Sequence, residues 1–273
     1  MQGETGSHAS RLRRTLGATI VVALFVGLLT TGTAWAAANK SRAILFVHGY
    51  NATSNSTDCG ADFDTMISQL QSEGFTGSMV KVGFYTNDTN CNVNLHSYGS
   101  SYSDSSSWKA IAKAFSYYVY NTYTSQGIDV TVVGYSMGGL ITRGAVYGSQ
   151  KGESGFSAPI RVVEGVTLAA PHNGAAWYSA LCLWGQCSTF KPGATDITWL
   201  NGNGNPQGAT ETDWTAIGSS SDSVVPLASA LYMTLPSTNK VTYSNVPHTG
   251  STNYMHTAAV VTRSGNALAN VGQ

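Results

Sequence analysis

Charged side chains are scarce in this chain, with 14 Lys and Arg and 14 Asp and Glu among 273 residues, 10% in all and balanced to zero. No basic stripe exists to neutralise a phosphate backbone, which excludes a nucleic-acid partner. Long apolar runs are also missing. The stretch from Leu16 to Leu29 is shorter than the roughly 20 residues a spanning helix needs, so no stable membrane anchor is expected. The four cysteines include no Cys-x-x-Cys with partnering histidines, so no metal site is expected. No internal repeat and no linker sets off a second domain.

What is present begins with a leader. Arg11, Arg13 and Arg14 precede the apolar stretch, and Ala34-Trp35-Ala36 supplies a small-x-small cleavage pattern. This is the layout of a secretory signal peptide over residues 1–36, with a secreted mature chain from about Ala37. Arg13-Arg14-Thr15-Leu16 loosely fits a twin-arginine signal, the alternative export route. Removing the leader takes away three arginines and Glu4 and leaves a net charge of about −2. An even number of cysteines in an exported chain predicts disulfides. Cys182 and Cys187 can close a small loop, which leaves Cys59 to pair with Cys91, one of three connectivities.

Strand and helix signals alternate along the mature chain. Arg42 to Val47 reads as a strand buried on both faces, ending at His48-Gly49-Tyr50. A helix is expected from Asp62 to Glu73 and a strand from Met79 to Tyr85. Trp108, Ile111, Ala112, Phe115, Tyr118 and Val119 fall at helical spacing, an aromatic stripe that reads as core rather than as a ligand platform. Strands are expected at Val130 to Val133, Ile160 to Leu168, Asp213 to Ile217 and Lys240 to Val246, and a last helix from Met255 to Ala269. From Ala175 to Glu211 periodicity is weak, and an irregular insertion is expected. The alternation predicts one α/β domain over residues 37–273, with a mostly parallel central sheet and helices on both faces.

Gly134-Tyr135-Ser136-Met137-Gly138 stands between the strand at Val130 and a helix-like stretch from Gly139 to Tyr147. G-x-S-x-G at such a junction is a nucleophile elbow, a turn so tight that only small residues fit beside the serine. Ser136 is therefore the candidate nucleophile. A serine hydroxyl needs a base, which a third group must orient, and in elbow folds the acid and then the histidine follow the serine along the chain. Of six histidines only His248 and His256 come late enough. His248, just beyond the strand ending at Val246, is preferred, and His256, near the start of the last helix, is the alternative base. Asp222, in the loop beyond the strand from Asp213 to Ile217, is preferred as the acid over Asp196 and Asp213. Two backbone N–H groups are expected to form the oxyanion hole, one from Met137 after the nucleophile and one from Tyr50 after the first strand. His48 reads as a buried hydrogen-bonding residue that shapes that loop. The scheme requires no metal and no organic cofactor.

Five segments carry a resemblance: F-V-H-G-Y-N at Phe46 to Asn51, G-Y-S-M-G-G at Gly134 to Gly139, L-A-A-P-H-N-G at Leu168 to Gly174, S-D-S-V-V-P at Ser221 to Pro226 and N-V-P-H-T-G at Asn245 to Gly250. In this order they resemble the small secreted bacterial lipases, triacylglycerol lipases and esterases of the α/β-hydrolase superfamily. The resemblance runs over nearly the whole mature chain. It implies an α/β-hydrolase fold, a triad of Ser136, Asp222 and His248, an oxyanion hole from the Tyr50 and Met137 amides, and a lipid or other ester as substrate. Lipid degradation outside the cell by a monomer is the corresponding expectation. The loop from Thr249 to Asn253 is longer than the family's usual one, which keeps His256 open as the base. An acyltransferase or polyester hydrolase built on the same triad also fits the motifs, as does a lipid- or cell-wall-binding protein that has lost turnover.

Overall fold

Among the described residues seven segments become the strands β1 (Ala43–Val47), β2 (Met79–Gly83), β3 (Val93–Asn94), β4 (Val130–Tyr135), β5 (Val162–Leu168), β6 (Asp213–Ser219) and β7 (Lys240–Tyr243). They form one sheet in the order β3-β2-β1-β4-β5-β6-β7, and every neighbouring pair is parallel. The computed structural model describes residues 39–51, 55–175 and 185–270, together with Gly3. The chain divides into two units, Met1–Trp35 and Ala36–Gln273, and the whole sheet belongs to the second. Apart from Gly3, the expected signal peptide at 1–36 lies outside the described residues.

Among the described residues the α-helices are α1 (Cys59–Ser72), α2 (Trp108–Thr122), α3 (Met137–Gln150), α4 (Gly185–Ser188), α5 (Thr195–Leu200), α6 (Leu227–Ala230) and α7 (Ala258–Leu268). Alternate side chains of each strand face opposite layers, as a period of two requires. Leu45 and Val47 of β1 pack with Trp108 and Phe115 of α2 and Leu140 of α3. Ile44 and Phe46 pack with Phe63 and Met66 of α1 and Val260 of α7. The helices thus cover both faces of the sheet, in the α/β-hydrolase arrangement.

Several boundaries differ from the sequence reading, each for a local reason. α1 starts three residues before Asp62 because Asp58 caps it, accepting the N–H groups of Gly60 at 2.9 Å and Ala61 at 3.1 Å. β2 stops at Gly83, short of Tyr85, because the N–H groups of Phe84 and Tyr85 turn to the Asp88 carboxylate at 2.7 and 2.8 Å. α7 starts at Ala258 rather than Met255 because the Asn253 side chain takes the N–H groups of Met255 and His256 into a turn. β3 was not expected, being only two residues long. The described part of the expected irregular insertion contains the short helices α4 and α5.

Cys59 and Cys91 form a disulfide that ties the start of α1 to the segment before β3. Cys187 is also disulfide-bonded, while Cys182, its expected partner, lies outside the described residues. Among the described residues no helix is long and apolar enough to cross a membrane.

Candidate active site

A sheet in which all strands are parallel sends the loop after every strand to the same edge. β1 and β4 are adjacent although far apart in sequence, so the strand order reverses between them, which is where such sheets open a crevice. Ser136 stands at that point, between β4 and α3. Its backbone is left-handed, φ 52° and ψ −125°, a strained state for a residue with a side chain. The flanking glycines follow from close approach. A Cβ on Gly138 would lie 2.0 Å from the Val47 carbonyl oxygen, and one on Gly134 would lie 2.6 Å from the Gly139 backbone. The Ser136 side chain does not cap α3, so its hydroxyl remains available.

That hydroxyl oxygen is 3.1 Å from Nε2 of His248, and Nδ1 of His248 is 2.9 Å from Oδ2 of Asp222. Three side chains from the ends of β4, β6 and β7 therefore meet. The His248 backbone is held by Tyr135, whose hydroxyl donates to the His248 carbonyl. His256 takes no part in this contact, its Nδ1 lying 2.9 Å from the Asn253 side-chain oxygen. Asp196 is also elsewhere, accepting the Ser107 hydroxyl at 2.6 Å, and Asp213 accepts from Asn239 at 2.9 Å. His172 is fully buried between Thr167 and Arg143.

Asp222 is held from four sides. Oδ1 accepts the N–H groups of Val224 and Val225, each at 2.8 Å, and Oδ2 also accepts the Tyr254 hydroxyl at 3.0 Å. Burial by itself pushes its carboxyl up, but the His248 hydrogen bond and charge together with the two amides outweigh it and hold the group below the usual carboxylate range. It is therefore an anion that fixes the orientation of His248. Tyr254 was not singled out from the sequence. A tyrosine 32 residues beyond an aspartate gives no local signal of such a contact.

Ser136 and His248 open into a cavity of about 360 Å³. Its lining includes the apolar residues Pro171, Ala175, Phe190, Val224 and Val225 and the carboxylic residues Asp58 and Asp62. Burial pushes the Asp62 carboxyl up, against the charges of His48 and His256. Tyr50 and Met137 both line the cavity. Met137 is the first residue of α3, so its N–H has no acceptor within the helix and points out of the positive end. The loop before Tyr50 is anchored by His48, whose Nε2 is 2.9 Å from Oδ2 of Asp88. Asp88 escaped the sequence reading because most of its partners are backbone amides. Among the described residues no group of three or more His, Cys, Asp or Glu is placed to hold a metal ion.

Comparison with known proteins agrees with this architecture. Aspergillus fumigatus lipase B superposes with a TM-score of 0.53 at 16% identity, covering 84% of this chain and 52% of its own. The phospholipase PlaB from Legionella pneumophila gives 0.57 at 13% identity, covering 84% and 59%, and the lin2722 gene product of Listeria innocua gives 0.51 at 13%, covering 85% and 96%. At such identities the likeness is one of fold, and this chain spans little more than half the length of the first two. No curated protein matches the chain with significance. Residues 39–182, more than half of the sequence, match the family described as the PGAP1-like alpha/beta domain, and the chain belongs to that family.

Proposed function

We propose that this protein is a serine carboxylic ester hydrolase, acting as a lipase on acylglycerol esters. The observation that carries the reading is the continuous line from Asp222 through His248 to Ser136, with contacts of 2.9 and 3.1 Å, beside a cavity whose lining includes Pro171, Phe190, Val224 and Val225. His248 accepts the Ser136 proton as the hydroxyl oxygen attacks the ester carbonyl, and Asp222 stabilises the imidazolium that forms. The negative oxygen of the tetrahedral intermediate is received by the N–H groups of Tyr50 and Met137 at the positive end of α3. His248 then returns the proton to the departing alcohol. Water, activated by the same imidazole, releases the acid from the acyl-enzyme.

Export fits the same picture, since the Cys59–Cys91 disulfide suits an oxidising compartment. The test is Ser136→Ala, which is expected to abolish hydrolysis of p-nitrophenyl esters, a loss on the order of 10⁶ in turnover where a triad acts as a unit, in a protein with an unchanged circular-dichroism spectrum. Turnover at the parent rate would refute the proposal. A chain-length series of glycerol and p-nitrophenyl esters separates lipase from short-chain esterase, and added alcohol capturing nearly all the acyl group would make the protein an acyltransferase.

A further inference from the structure

A second buried histidine–aspartate pair lies behind the loop that follows β1. His48 is fully buried and stacked on Phe84 with ring centroids 3.9 Å apart. Its Nδ1 is 2.9 Å from the carbonyl oxygen of Gly49 and its Nε2 is 2.9 Å from Oδ2 of Asp88. A carbonyl oxygen has no proton to give. Nor does the Asp88 carboxyl, because every other group that faces it is a donor: the N–H groups of Phe84 and Tyr85 on Oδ2, at 2.7 and 2.8 Å, and that of Thr57 on Oδ1, at 2.6 Å. A proton on that carboxyl would be set against a donor. Both ring nitrogens of His48 therefore face acceptors, and both contacts are hydrogen bonds only if the ring carries two protons. The neighbouring carboxylate balances the charge, and the pair is fully buried.

The consequence lies in the peptide group that the ring holds. The carbonyl of Gly49 and the N–H of Tyr50 belong to one planar trans unit and point in opposite directions. Fixing the first fixes the second, and a charged donor on the oxygen polarises the peptide so that its N–H donates more strongly. We propose that His48, held as an imidazolium by Asp88, is a positioning residue of the oxyanion hole: it grips the Gly49 carbonyl and so aims the Tyr50 N–H at the oxygen that develops on the substrate. This inference rests on the ester-hydrolase reading. His48 touches no reacting atom, and its effect passes entirely through that one peptide.

The experiment compares His48→Ala and His48→Asn with the parent, each normalised to active sites titrated with an organophosphonate. His48→Ala is expected to lower kcat per titrated site by about 10–100-fold, somewhat less than the 10²–10³ lost when an oxyanion donor is removed outright, with KM changed by no more than about threefold. His48→Asn, whose side-chain N–H can occupy the place of Nδ1–H, is expected to recover most of that loss. In the parent, nitrogen-15 NMR at neutral pH should show both His48 ring nitrogens protonated. A role in folding alone would reduce the titrated fraction and leave the rate per site unchanged, which would overturn the proposal. An unprotonated His48 nitrogen would overturn it equally. If the parent hydrolyses no ester and leaves the organophosphonate unreacted, the functional reading fails, and the nitrogen spectrum still decides for or against the imidazolium grip.

Discussion

Replacing Asp222 by asparagine changes one atom and should nearly silence the site. In the parent, Oδ1 accepts two backbone N–H groups at 2.8 Å and Oδ2 accepts Nδ1–H of His248 at 2.9 Å. The introduced amide can keep its oxygen on the Val224 and Val225 amides, or turn that oxygen toward His248. The second choice sets its NH₂ against two backbone donors, each worth about 1–3 kcal/mol when left unsatisfied. The first choice therefore prevails and presents N–H to Nδ1. His248 must then carry its proton on Nε2, 3.1 Å from the Ser136 hydroxyl, and the base is lost with the geometry intact. A wrong tautomer of this kind lowers kcat by about 10⁴, or about 5.4 kcal/mol of barrier. The assay is kcat on a p-nitrophenyl ester at neutral pH, per folded molecule. A loss under about tenfold would show that Asp222 does not set the tautomer.

Other consequences follow from the same geometry. The Asp222 carboxyl is held below its ordinary value by His248 and two amides despite burial, so its contribution to stability is present above about pH 4 and is lost as pH falls through the lowered folded-state value; urea midpoints measured from pH 6 down to 2 should fall less steeply in Asp222→Asn. Glu164 behaves in the opposite sense. Burial first, then Asp213, push its carboxyl up to about 8 against Arg42 and Asn270, and its Oε2 has no hydrogen-bond partner. The parent should therefore lose roughly a few kcal/mol as pH rises from about 4.5 to 8, and Glu164→Gln should flatten that slope in denaturant titrations. Gly138→Ala would press a Cβ to 2.0 Å from the Val47 carbonyl and should destabilise the fold by about 2–3 kcal/mol, read as a lowered urea midpoint; an unchanged midpoint would contradict the close approach. Replacing Cys59 and Cys91 by serine opens a link across 32 positions, worth about 3–4 kcal/mol in the chain-entropy treatment, and should lower Tm by roughly 7–14 °C.

Most of the sheet was legible because a strand buried on both faces must be largely apolar, and Arg42 to Val47, Val130 to Val133 and Ile160 to Leu168 are the plainest such runs, even with Arg161 and Glu164 inside the last. β3 was not, since two residues carry no period. Helix starts were displaced where side chains captured backbone amides, Asp58 at α1 and Asn253 before α7, because a cap leaves only one polar residue in the sequence. For the site, the elbow and the chain order of serine, acid and histidine pointed to Ser136, Asp222 and His248, and the fold brings those three together while His256 bonds to Asn253. Asp88 and Tyr254 could not be read in the same way. Their partners come from other parts of the chain, and only the packing of β1 against β2 and of the loop before α7 against β6 makes them neighbours of the reactive groups.

The central claim is that Ser136 becomes nucleophilic through His248, and mass spectrometry after reaction with a fluorophosphonate tests it most directly. One adduct per chain on the peptide carrying Ser136, absent from Ser136→Ala and formed far more slowly in His248→Ala, is the expected result. A protein that stays unlabelled while folded, or that is labelled on another residue, would contradict it.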